Sequence, residues 1–236
     1  EHGERRYGIH FPVIHQGETT VHEDPQFEVK RERSHALLRE RYPRFSIIIP
    51  TYQHLDLLKR CLTSVIAHTD LSQCEVLVCA NGCTEDTKDY VLSLGEPFIL
   101  LWAEEQIGFT KATNIGIKEA RGEYLVFLNN DTELQDNPSH KASEWLDLLV
   151  QPFLDNIHCG MTGPLVFKGE GEGESYDFVM MFCACVSRKV IADVGELDEA
   201  FAPAGVEDID LGIRLREKGY DLVQVPTDGE VAWNPN

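Results

Sequence analysis

The chain has 236 residues, 42% of them hydrophobic, enough for one good-sized domain with a buried core. Its formal net charge of −19 repels nucleic-acid phosphate and anionic lipid, which excludes polyanion binding but not one phosphorylated small molecule held through a metal ion. Seven cysteines without a CxxC pair argue for scattered reduced thiols and a cytoplasmic location rather than a disulfide framework.

Residues 1–44 are polar and aperiodic and read as an N-terminal arm or the end of a preceding region. His10, His15 and His22 share no helical spacing there and read as solvated rather than metal-bound. The start lacks an initiator Met and an apolar signal core, and the end at Trp233–Asn236 reads as cut, so an excerpt of a longer protein with further domains is expected. No stretch reaches the ~20 apolar residues of a membrane span.

Order begins at Phe45–Pro50, a β-branched run that predicts a strand buried on both faces. Leu55, Leu58, Leu62, Val65 and Ile66 then recur at helical spacing. Strands are predicted at Glu75–Ala80, Phe98–Trp102 and Tyr124–Leu128, with helices at Asp86–Leu94 and Gly108–Ala120. Cys79 and Cys83 flank the turn at Asn81-Gly82, but no second ligand pair stands at zinc-finger spacing. This alternation is the rhythm of a mostly parallel sheet covered on both faces, with ligands beyond the carboxyl ends of its strands. Further on, Trp145–Leu154 predicts a helix, Gly169–Glu174 a flexible acidic loop, and Phe178–Val186 a strand. Val206–Lys218 predicts a helix ending at Gly219, and Asp221–Val225 a last strand.

Two places concentrate chemistry. Asp131 follows the apolar run Tyr124–Leu128 and faces the expected crevice. A hard divalent ion often takes only one or two protein oxygens, the rest coming from phosphates and water. A turn-capping Asp fits the position equally, and position alone leaves both readings open. Glu207, Asp208 and Asp210 crowd the opening of a helix. Acids there complement the helix dipole, and Asp210 with Arg214 forms an i,i+4 pair. Glu207 and Asp208, adjacent and just after the loop Phe201–Gly205, also raise one another's pKa, which suits one to be a general base.

Five segments in order resemble the family 2 glycosyltransferases. Ser46–Tyr52 resembles their opening strand, and Asn81–Asp86 their second-strand turn. Gly108-Phe109 through Asn114–Gly116 resembles their third element. Gly122–Thr132 is similar to the strand carrying their metal-binding DxD-type motif, and Val194–Phe201 with Glu207–Asp208 and Arg214–Tyr220 to their acceptor segment and ED motif. The likeness spans about residues 45–226.

The resemblance implies a GT-A-type α/β domain over 45–236, three-layered and Rossmann-like with a mostly parallel mixed sheet, divided into a nucleotide-binding half (45–131) and an acceptor half (132–236). It implies inverting transfer from a UDP- or dTDP-sugar to a hydroxyl of a glycan or lipid-linked acceptor, in the cytoplasm or at a membrane reached through other regions. Donor contacts fall on Pro50, Thr51, Tyr52, Asn81, Gly108, Asn114 and Asn130; Asp131 holds Mn²⁺ or Mg²⁺; Asp208 is the base and Glu207 its support. Departures are Ala80 where the family has a base-contacting Asp, one carboxylate in Asn129-Asn130-Asp131, and no His after Asp208. They motivate a second reading, an inactive sugar-nucleotide- or glycan-binding module. A nucleotidyltransferase ranks last, since no basic glycine-rich loop adjoins the first strand.

Overall fold

Ile47, Ile48 and Ile49 are fully buried, and alternation along the strand sends them to opposite sides. Ile47 and Ile49 join one apolar cluster, Ile48 another. Strand β1 (Phe45–Thr51) is therefore covered on both faces, as its continuous apolar run predicts. On the first face lie α1 (Leu55–His68), α2 (Glu85–Leu94) and α4 (Trp145–Asp155), contributing Leu58, Leu62, Val91 and Leu149. On the second lie α3 (Phe109–Glu119), α5 (Arg188–Val194) and α6 (Glu207–Glu217), contributing Ala112, Ile117, Val190, Leu211 and Leu215. The computed structural model describes residues 43–136, 141–171 and 174–226. The arm up to residue 42, with His10, His15 and His22, and Trp233 lie outside them.

The main sheet has the order β3-β2-β1-β4-β8-β5-β9, with β2 at Cys74–Asn81, β3 at Phe98–Ala103, β4 at Tyr124–Leu128, β5 at Cys159–Gly163, β8 at Cys183–Ser187 and β9 at Asp221–Gln224. β1 pairs in parallel with β2 and β4, so Thr51, Asn81 and Leu128 end at one edge. β8 runs antiparallel to β4 with Cys183 opposite Leu128, so it starts at that same edge. The loops after β1, β2 and β4 and the lead-in to β8 thus converge.

The second half departs from the sequence reading. Phe178–Val186 is two strands: β7 (Glu174–Val179) pairs with β6 (Val166–Gly171) in a separate ribbon, and β8 enters the main sheet. No Gly or Pro marks the break at Met180–Phe182, so the apolar run reads as continuous. The backbone of Gly169–Gly171 is in β6, not a loop; Phe167 stacks on Phe178 at 5.5 Å and helps fix the ribbon's register. β5, a Cys-Gly-Met-Thr-Gly strand, has no alternation to mark it, and the short α5 goes unpredicted although Ser187 caps its start and Gly195 its end. Ile66 is 44% exposed, and Cys61 takes the inward place beside Leu62 instead. Burial pushes the Cys79 thiol up to about 12.

At the opposite edge, the Glu75 carboxylate is 2% exposed and accepts from the Ser46 hydroxyl (2.6 Å), the Arg121 amide and Arg121 Nε (2.8 Å). It ties the starts of β1 and β2 to the turn before β4. Removing it strands buried donors, while the half-exposed Arg121 side chain regains water. Glu75→Ala should lower unfolding stability by about 2–3 kcal/mol, read as a drop in the urea midpoint at unchanged slope.

Candidate active site

Asn81 organises the edge where the strands end. It is 3% exposed; Nδ2 donates to the Thr51 carbonyl (2.8 Å), and Oδ1 accepts the Gly108 amide (3.1 Å). The Thr51 hydroxyl, itself buried, accepts from Asn130 Nδ2 (2.9 Å). The ends of β1 and β2, the start of α3 and the loop after β4 are thereby one bonded unit. Beyond Thr51 the chain rises into solvent: Tyr52 is exposed, and Gln53 and His54 are left-handed with φ 53° and 50°. Two successive non-glycine residues in that region are uncommon and are a recurring mark of functional loops.

The loop after β4 is pinned to the lead-in of β8. The Asn129 amide donates to the Phe182 carbonyl at 2.8 Å, and the Thr132 hydroxyl donates to it at 3.3 Å. Asn129 Oδ1 is buried with no hydrogen-bond partner, and Asp131, two residues on, is exposed. Among the described residues no three His, Cys, Asp or Glu side chains gather as metal ligands. An exposed carboxylate and, two residues before it, an unpaired amide oxygen offer oxygen donors only. They fit a hard ion that takes most of its ligands from a diphosphate and water, and do not fit a resident zinc.

Glu207 and Asp208 open α6 from a strained lead-in, with Gly205 at φ 109° and Val206 at φ 66°. The Glu207 carboxylate, 8% exposed, accepts the Gly205 amide and locks that turn. Asp208 accepts the Ile209 amide at 2.9 Å. Burial raises the Asp208 pKa above the ordinary carboxylate range; the Ile209 amide opposes this and the Glu207 charge adds to it. The expected Asp210–Arg214 pair is present at 2.7 Å, and Arg214 also donates to the Val194 carbonyl (2.7 Å), fixing α6 to the end of α5.

A cavity of about 280 Å³ is lined by Phe109, Asn129, Met180, Met181, Phe182, Ala204, Glu207 and Asp208. It joins the end of β4 to the start of α6. The loop before α6 also packs on the start of α3: a Cβ at Gly108, whose φ is 87°, would stand 2.6 Å from Pro203 Cα. The Thr110 amide donates to the Pro203 carbonyl at 3.4 Å.

Of the residues expected from sequence, Thr51, Asn81, Gly108 and Asn130 form the bonded unit, and Glu207 and Asp208 line the cavity. Pro50 is buried within β1 opposite Cys79. Asn114 is 2% exposed and spans inward, donating to the Leu197 carbonyl (2.8 Å) and accepting the Leu197 amide (3.0 Å). Both act beneath the site. Asp131 is exposed and is not among the cavity's lining. Missed were Asn129, Phe109, Ala204 and Met180–Phe182; for the last, the one available signal was a predicted strand of nine residues, longer than strands usually run.

The family model of glycosyl transferase family 2 matches residues 46–154. The uncharacterized protein y4gI of Sinorhizobium fredii is 25% identical over 221 residues, 78% of this chain and 24% of its own length. The O-antigen biosynthesis protein RfbC of Myxococcus xanthus is 29% identical over 217 residues, 77% of this chain and 16% of its own length. The chain thus spans about a quarter or less of these relatives. Among solved structures, the mannosyltransferase PcManGT of Pyrobaculum calidifontis in complex with GDP-Man and Mn²⁺ superposes with a TM-score of 0.62 at 17% identity, covering 86% of this chain and 64% of that one. That likeness is one of fold.

Because its folded-state pKa is raised, Asp208 contributes most to stability below its unfolded pKa, and that contribution is lost as pH rises through the folded value. Asp208→Asn keeps an acceptor for the Ile209 amide and carries no charge. Its melting temperature should exceed the wild type's at pH 7, with the margin closing toward pH 4. Differential scanning calorimetry across that range checks this; a margin that is constant with pH contradicts the assignment.

Proposed function

This chain carries a family 2 glycosyltransferase domain with the GT-A fold, and on that premise we propose that it is an inverting enzyme that moves a sugar from a UDP- or dTDP-linked donor to a hydroxyl of a glycan or lipid-linked acceptor. The observation that carries the reading is the shared cavity: Asn129, from the metal-motif loop, and Asp208, from α6, line one space. Donor and acceptor can therefore meet from opposite sides, as a single displacement at the anomeric carbon requires.

In this reading Thr51 and Tyr52 border the nucleoside, with the bonded unit around Asn81 holding the loops that receive it. Asp131 would hold Mn²⁺ or Mg²⁺ against the donor diphosphate, and that ion supplies neutralisation of the charge on the leaving group. Asp208 receives the acceptor's hydroxyl proton as the oxygen attacks. Its burial raises its basicity toward the working pH, and Glu207 fixes the turn that aims it. No covalent intermediate on the protein is needed, so the product has inverted configuration. Holding both reactants in one small cavity supplies much of the remaining acceleration.

The test is a thermal-shift and transfer assay on the purified chain with a panel of UDP- and dTDP-sugars. Donor should raise the melting temperature with Mn²⁺ and lose that effect in EDTA or in Asp131→Ala. Asp208→Asn should keep the donor effect and lose about 10²–10⁴-fold in transfer rate. Transfer at the wild-type rate by Asp208→Asn removes the base assignment. Donor binding without turnover on any acceptor points instead to the binding-module reading.

A further inference from the structure

Two phenylalanines of the β6–β7 ribbon stand outside the core. Phe167 and Phe178 are directly opposite in its ladder, and their rings stack at 5.5 Å with planes 17° apart. Neither ring joins the two apolar clusters, and Phe167 is 40% exposed. The pair adjoins the candidate active site on two counts. α6 runs along β7, since a Cβ at Gly212 would stand 2.5 Å from the Asp177 carbonyl oxygen and 3.0 Å from Phe178 Cβ. Gly212 follows Asp208 by four residues, so the two share one face of α6, about 6 Å apart. Along the ribbon, the Met180 amide continues the ladder to the Leu165 carbonyl (3.0 Å), which puts Met180 on the same side as Phe178. Met180 lines the cavity that holds Asp208. A strip of surface thus leads from that cavity past Met180 to the stacked rings.

The donor occupies the other end of the sheet. In the proposed reading its nucleoside lies at Thr51, Tyr52 and Asn81, at the ends of β1 and β2. The ribbon packs on α6, β5 and β9, and β5 stands three strand positions from β1, about 14 Å. With the donor anchored on β1 and β2 and its sugar in the cavity, the molecule that continues past Asp208 toward the ribbon is the one that gives up its proton there. A ring face is flat, apolar and partly negative. It matches the C–H-lined face of a pyranose, whose hydroxyls project outward and keep their water. An acyl chain needs apolar cover along its length, and one ring face next to the exposed Lys168 does not supply it.

We propose that Phe167, stacked on Phe178, is an acceptor subsite that takes a pyranose ring beyond the one whose hydroxyl reaches Asp208. The acceptor is then a glycan of two or more sugars at its reacting end. The proposal rests on the glycosyl-transfer reading and narrows its acceptor to that class.

Ligand-observed NMR titrations of the whole chain, with UDP and Mg²⁺ present, test it with cellotetraose, laminaritetraose, mannotetraose and chitotetraose, each against its methyl monosaccharide. At least one tetrasaccharide should bind about 3–10-fold more tightly than its monosaccharide. Phe167→Leu keeps apolar bulk without a ring face and should remove that advantage, while Phe167→Trp keeps it. Both variants should leave monosaccharide binding and the metal-dependent donor stabilisation unchanged, which a general loss of structure would not. Should Phe167→Leu fail to fold, the more adaptable Phe167→Met makes the same comparison. The proposal is overturned if no tetrasaccharide outbinds its monosaccharide or if the advantage survives loss of the ring. Binding to phosphatidylcholine vesicles, or dimerisation in sedimentation, that depends on Phe167 in place of glycan binding overturns it as well. Failure of the transfer reading shows separately, as absence of the Mn²⁺-dependent donor stabilisation and of the Asp208→Asn defect. If those hold while the tetrasaccharides show no advantage, only the subsite falls.

Discussion

The contact on which the site depends is the approach of Pro203 to Gly108. With a φ of 87° and no room for a Cβ, position 108 admits only glycine without displacing the loop opposite. That approach seats the lead-in to Glu207 and Asp208 on the start of α3. The Gly108 amide is in turn fixed by Asn81, and Asn81 holds the end of β1 through the Thr51 carbonyl. Loops far apart in sequence thus share one anchor. Asn114 repeats the device further along α3, holding Leu197 by both its amide and its carbonyl.

On this frame the charges separate by environment. Asp131 is exposed at the end of β4 and open to solvent. Asp208 is partly desolvated beside the buried Glu207, where the charged form is disfavoured. The start of α6 tolerates this crowding because backbone amides meet the carboxylates: Gly205 donates to Glu207 and Ile209 to Asp208. In the proposed reading this difference in exposure suits the two carboxylates to different tasks, one holding a cation and the other moving a proton.

The acidity of the whole chain fits the same division. A net charge of −19 leaves the surface hostile to polyanions, which is compatible with the proposed hold on a diphosphate through a shared cation. The remaining wall of the cavity, from Phe109 and Met180–Phe182, carries no charge at all and shapes what lies next to Asp208 through packing alone.

The parallel core was legible in the sequence because its strands are buried on both faces and must read as continuous apolar runs; Ile47–Ile49 and Tyr124–Leu128 left no other interpretation. Asp131 and Glu207–Asp208 stand out in the sequence because each stands where an apolar run meets a loop or a helix start. What tertiary structure alone decided is which side chains face which. Nothing local distinguishes Asn81 as a two-ended staple from a turn residue, or breaks Phe178–Val186 at Met180, because the partners that settle both are distant in sequence: Gly108 for the first, and β6 and β4 for the second. Periodicity reports the solvent a residue avoids. The close approach of two backbones, such as that of Gly108 and Pro203, is set only when the helices have packed.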